Sequence, residues 1–117
     1  MILIIGGAGQ GKLRYVLEKT GYTEDQVSEE LPTDRPVLYG LQNLTRKDPE
    51  LKAEDIPDDC IVICDEIGCG VVPADREERD WRERTGRLCC DLARRAGRVE
   101  RIFCGLPMVL KGDTEWN

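Results

Sequence analysis

Histidine is absent from this chain, and aromatic residues make up only 5% of it, with a single phenylalanine. Without imidazole, a zinc or similar centre would fall to the six cysteines, yet Cys60, Cys64, Cys69, Cys89, Cys90 and Cys104 include no C-x-x-C pair. Metal-thiolate and disulfide frameworks are therefore set aside. Cys60, Cys64 and Cys104 lie in apolar, strand-like runs and are expected as small, buried, reduced thiols. Long apolar runs are missing too. Met1 to Ile5 is far too short to span a bilayer, and no basic segment precedes it as a signal peptide would need, so no membrane partner and a cytoplasmic location are expected. Basic charge is outnumbered, 17 residues against 23 acidic ones for a net charge of -6, which argues against a nucleic-acid partner. Internal repeats and low-complexity tracts are also lacking.

What is present suits a folded unit. Apolar residues make up 40% and charged residues 34% of 117, the balance of one compact domain spanning residues 1–117. Met1 to Ile5 is β-branched and closed by glycines, as a buried strand entering a loop would be. Lys12 to Lys19 reads as a helix stopped near Gly21. Thr23 and Gln26 have the spacing of a capping box for a short helix around Glu24 to Leu31, before Pro32 and Pro36 intervene. Val37 to Leu41 reads as a short strand, and the polar stretch from Asn43 to Asp59 as a short helix with an exposed connection. Cys60 to Cys64 is a continuous apolar run ending in Asp65 and Glu66, the pattern of a central parallel strand covered on both faces. Asp75 caps a long helix in which Trp81, Thr85, Leu88, Leu92 and Ala96 recur at helical spacing up to Gly97. Val99 to Cys104 is a last short strand, and the tail from Gly105 to Asn117 shows no period and is expected to be loosely ordered. Alternating strands and helices imply an α/β fold with a small, mostly parallel sheet in a three-layer sandwich.

One segment carries chemistry more specifically than the rest. Gly6-Gly7-Ala8-Gly9-Gln10-Gly11-Lys12 fits G-x-x-x-x-G-K, and it follows a predicted strand and opens a predicted helix, as a P-loop requires. Such glycines let backbone N–H groups turn inward around phosphate oxygens, the helix start adds partial positive charge, and Lys12 reaches the outer phosphates. Residues Gly6 to Leu13 are thus the candidate site for a nucleoside triphosphate, ATP or GTP, with Mg²⁺. Position 13 departs from the pattern, because Leu13 stands where a Ser or Thr hydroxyl would bind the metal. Two outcomes stay open: acids elsewhere hold Mg²⁺, or the loop binds nucleotide without turning it over efficiently.

Ile61 to Glu66 has the form of the second P-loop-protein motif, in which a strand end delivers acids to the metal and the nucleophile. Asp65 is the metal candidate, and Glu66 is the candidate general base or positioning group. The alternative is that both acids merely end a strand in solvent. Arg76, Arg79, Arg82, Arg84 and Arg87 alternate with acids on the long helix and read mostly as a solvated, salt-bridged face. Arg76 and Arg79 are the two nearest the acidic strand end in sequence, and so the candidates to stabilise transferred charge.

Asp65-Glu66-Ile67-Gly68-Cys69-Gly70-Val71-Val72-Pro73, followed by Gly86-Arg87-Leu88 on the helix and by Cys104-Gly105-Leu106-Pro107, resembles the adenosylcobinamide kinase/adenosylcobinamide-phosphate guanylyltransferase family. The resemblance covers the glycine loop and about the last 55 residues and passes over the middle of the chain. It implies a P-loop fold and phosphorylation of the aminopropanol arm of adenosylcobinamide, a corrinoid, from ATP or GTP. The family then attaches GMP through a histidine, which a chain without histidine cannot do. The resemblance carries over Gly6, Gly11, Lys12 and Glu66 as functional positions, with Gly68, Gly70 and Pro73 as architecture. It also implies that Asp65 replaces an aspartate of a family strand with no counterpart here. A cobinamide-kinase-like enzyme, a non-catalytic nucleotide- or corrinoid-binding module, and a kinase or NTPase for another hydroxyl substrate remain open, as does homo-oligomerisation.

Overall fold

The computed structural model describes residues 1–68, 74–113 and 116, so Cys69, Gly70, Val71, Val72 and Pro73 of the acid-glycine segment lie outside the described residues. Six strands form one sheet in the order β2-β3-β4-β1-β5-β6: β1 (Ile2–Gly6), β2 (Val27–Ser28), β3 (Val37–Tyr39), β4 (Ile61–Asp65), β5 (Arg98–Phe103) and β6 (Leu106–Lys111). All neighbouring pairs are parallel except β5 with β6. The two most apolar runs, β1 and β4, lie side by side near the centre, where both faces are covered, and this is why they read as continuous hydrophobic stretches.

Helix α1 (Lys12–Thr20) covers one face, where Tyr15 and Val16 pack with Ile4, Val37, Ile61, Ile63 and Ile102. Helices α2 (Leu41–Lys47) and α3 (Arg76–Arg95) cover the other. There Leu41, Leu44, Leu88 and Leu92 meet Leu3, Leu38, Val62, Cys64 and Val99, completing three layers. Asp75 caps α3 by accepting from the Glu77 amide, and Thr85, Leu88 and Leu92 are its buried stripe. Its charged faces carry Arg76–Asp80, Arg87–Glu83 and Arg94–Asp91 pairs one turn apart.

Three expectations are corrected. The capping signal at Thr23 is present, with Gln26 Oε1 accepting from the Thr23 amide at 3.1 Å, but it opens a single 3₁₀ turn rather than a helix to Leu31. Val27 and Ser28 instead pair with Val37 and Leu38, because a β-branched residue gains more at the sheet edge than in a short exposed helix. The tail is not loose up to Lys111: Cys104 and Gly105 turn the chain, and Leu106 to Lys111 returns antiparallel to β5. As an edge strand exposed along its whole length, β6 has no buried face to impose a period of two, which is why it was illegible. Cys60 and Cys64 are buried in the core, whereas Cys104 is exposed at the turn with φ 51°, and so is not a core thiol.

A buried polar network fastens α1 to the sheet. The Tyr15 hydroxyl donates to Glu100 Oε1 at 2.6 Å, and Arg98 Nε donates to Glu100 Oε2 at 2.8 Å. Burial, reinforced by the hydrogen bond to Glu100, pushes the Tyr15 phenol up to about 12, and burial pushes the Cys60 thiol up to about 11. Both folded values exceed the ordinary ones of 10.0 and 9.0, so their contributions are complete below pH 9 and are lost as pH rises to about 12. Urea midpoints measured from pH 8.5 to 12 are therefore expected to fall steeply. Tyr15→Phe should flatten the part above pH 10 while costing about 1–3 kcal/mol at pH 8, where Glu100 loses a buried donor.

Candidate functional site

The carboxyl end of β1 opens into the glycine loop, and the loop closes at the first residue of α1. Gly6 is required by close approach: a Cβ there would sit 2.5 Å from the Ile102 carbonyl oxygen of the neighbouring strand. Gly11 is the N-cap of α1 with φ 85°, a left-handed conformation that lets the chain turn into the helix without a side-chain penalty. Gly7, Ala8, Gly9 and Gln10 form the loop between them. Gln10 ties the loop to the β5–β6 turn, its side-chain oxygen accepting from the Cys104 amide at 2.6 Å and its carbonyl from the Gly105 amide at 2.9 Å.

Lys12 turns back over this loop. Its ammonium donates to the Gly7 carbonyl at 2.7 Å and lies 2.7 Å from Asp65 Oδ1, with Lys12 only 5% exposed. Parallel pairing of β1 with β4 puts Asp65 opposite Gly6 at the same strand end, and this register brings lysine and acid together. Gln42, at the start of α2, accepts from the Asp65 amide at 3.0 Å and steadies that end of β4. Leu13, by contrast, packs against the apolar cluster beneath α1 and offers no oxygen to the loop.

Glu66 is adjacent to Asp65 in sequence but serves the other face. Its amide donates to the Gly6 carbonyl at 2.8 Å, so its backbone borders the loop. Its carboxylate, however, receives Arg101 in two contacts, Nε to Oε1 at 2.8 Å and Nη2 to Oε2 at 3.1 Å. Of the two arginines read from the helix, Arg76 is exposed beside Asp80, and Arg79 Nη1 donates to the Ala74 carbonyl at 2.7 Å. The cation on Glu66 comes from Arg101 on β5, a residue that no motif in the sequence marks. The signal lay in β5 itself, where Arg98, Glu100 and Arg101 are interspersed with Val99, Ile102 and Phe103 in a strand beside the central one, and charged residues placed there need partners.

The residues match a phosphate-bound Mg²⁺ better than a resident metal. Among the described residues no three metal-ligating side chains cluster, and the loop offers Asp65 alone. A nucleotide-borne Mg²⁺ needs one or two carboxylates beside the phosphates and water, and Asp65, paired here with Lys12, is one such carboxylate. A groove of about 400 Å³ lined by Gly9, Gln10, Gly11, Arg14, Glu18 and Cys104 runs beside the loop. A larger concavity of about 740 Å³ lies over residues 27–35 at the opposite edge of the sheet, away from both acids.

The model of the family described as cobinamide kinase / cobinamide phosphate guanyltransferase matches residues 42–110, more than half of the chain. The chain belongs to this family. Among curated proteins, none matches it. Within the family match fall Asp65, Glu66, α3, β5 and all of β6 but Lys111, while the glycine loop precedes it. Residues 42–59, which the motif resemblance passed over, are inside the match, so the relationship is carried by α2 and its connection as well. Family membership and the three-layer sheet agree on a P-loop-like α/β architecture. No helix among the described residues is long and apolar enough to cross a membrane.

Proposed function

We propose that this member of the cobinamide kinase family binds ATP or GTP on the glycine loop and transfers its γ-phosphoryl group to a hydroxyl of cobinamide. The observation that carries the reading is the Lys12 ammonium, buried and held 2.7 Å from both Gly7 O and Asp65 at the carboxyl ends of two parallel strands. In open parallel sheets, ligands bind in the crevice beyond those ends. Loop amides and the α1 N-terminus would receive the phosphates, and Lys12 would bridge the outer ones.

Mg²⁺ arriving with the nucleotide would neutralise phosphate charge, and Asp65 is the residue to hold it. In the transfer, the acceptor oxygen bonds to the γ-phosphorus as the bond to the β–γ bridging oxygen breaks, and the nucleoside diphosphate departs. Glu66 takes the proton released from the acceptor hydroxyl. Guanylyl transfer through histidine is outside this chain's chemistry, because it contains none. Leu13, which supplies no hydroxyl, favours a second reading in which the same loop binds nucleotide or corrinoid without transfer.

Titrating ATP and GTP, each with and without Mg²⁺, into the protein and then following radiolabelled phosphate from the preferred nucleotide to cobinamide separates the two. Micromolar binding followed by labelled cobinamide phosphate is the expected result. Saturable binding with no label transferred sinks the kinase and leaves the binding module.

A further inference from the structure

We propose that Arg101 is a positioning residue for Glu66, fixing the carboxylate that receives the acceptor's proton; this rests on the kinase reading above. β1 lies between β4 and β5, with Gly6 level with Asp65 on one side and Ile5 level with Arg101 on the other. Side chains alternate along each strand. Ile63 packs on the α1 face and Cys64 on the α3 face, so Asp65 joins Lys12 on the α1 side and Glu66 returns to the α3 side. Along β5, Val99 packs on the α3 face and Glu100 bonds to Tyr15 of α1, which places Arg101 on the same face as Glu66. The two side chains therefore meet across the end of β1, directly beside the start of the glycine loop.

Their contact is a fork, with two N–H groups on two carboxylate oxygens at 2.8 and 3.1 Å. Two-point contact sets both the place and the plane of the carboxylate, which a single ammonium contact does not. Main-chain contacts fix the same residue: the Glu66 amide bonds to Gly6, and Arg82 from α3 donates to the Ile67 carbonyl immediately after it. The Glu66 side chain is 19% exposed and that of Arg101 41%, so the pair is gripped yet keeps contact with solvent. Backbone, following turn and carboxylate are thus all held beside the start of the glycine loop.

Single-turnover transfer of labelled phosphate, run with Arg101→Gln, Arg101→Lys, Glu66→Gln and the Glu66→Gln/Arg101→Gln double variant, tests this. Arg101→Gln is expected to slow transfer about tenfold while leaving nucleotide affinity within about twofold, since a positioning group acts on the step and not on binding. Arg101→Lys should fall between the native protein and Arg101→Gln, because it restores charge but not the fork. In the Glu66→Gln background, Arg101→Gln should cost less than about twofold more, as no carboxylate remains to be positioned. An unchanged rate in Arg101→Gln, or the same tenfold loss in both backgrounds, overturns the inference and leaves the kinase reading intact. Absence of transfer by the native protein overturns both together.

Discussion

Lys12→Ala should weaken nucleotide binding by at least about 100-fold, roughly 2.7 kcal/mol, in calorimetric titration. The loss exceeds that of one phosphate contact because two things change together. Lys12 is buried against Asp65 at 2.7 Å, so its removal takes away the cation and also leaves a carboxylate, 26% exposed, facing the incoming phosphates without a counter-charge. Lys12→Ala/Asp65→Asn separates the two effects. Removing the stranded charge should recover about tenfold of the affinity, whereas a double variant as weak as the single one would mean that repulsion contributes nothing. Native-like binding by Lys12→Ala would remove the glycine loop from the site altogether.

Gly6→Ala should destabilise the fold by about 3 kcal/mol, lowering the melting temperature by roughly 10 °C or more. A methyl group there meets the Ile102 carbonyl at 2.5 Å, and Ile102 belongs to a strand paired with β1 on one side and β6 on the other, so the obstacle is backbone with little freedom to yield. Gly7→Ala is the matched control. Its added carbon meets only Gln10 Cγ at 3.6 Å, an ordinary van der Waals contact, and its melting temperature should stay within about 2 °C of native. Equal stability of the two variants would show that β5 shifts to accommodate the methyl group.

How much of this was legible in the sequence depended on burial. β1 and β4 are covered on both faces, so their apolar runs announced them, and α3 showed its buried stripe and its Asp75 cap. β2 and β6 are edge strands, where one flank and much of the surface meet water, and neither composition nor period marks them. The glycine loop was readable because turn geometry and strand-to-helix context constrain residue type locally. Glu66 and Arg101 were harder. Adjacent acids look like one site along a sequence, whereas alternation across a sheet sends them to opposite faces. Arg101 is 35 residues from Glu66, and only the placement of β1 between β4 and β5 brings them together.

The Lys12–Asp65 contact bears on any anion that enters the loop. With Asp65 Oδ1 seated on the ammonium, the loop holds its shape around an internal counter-ion, and an incoming phosphate displaces a resident rival instead of filling a bare cradle. Occupancy then becomes an exchange of one anion for another. Such an exchange would temper the affinity of an arriving anion and would speed its departure, because the carboxylate stands ready to reclaim the lysine.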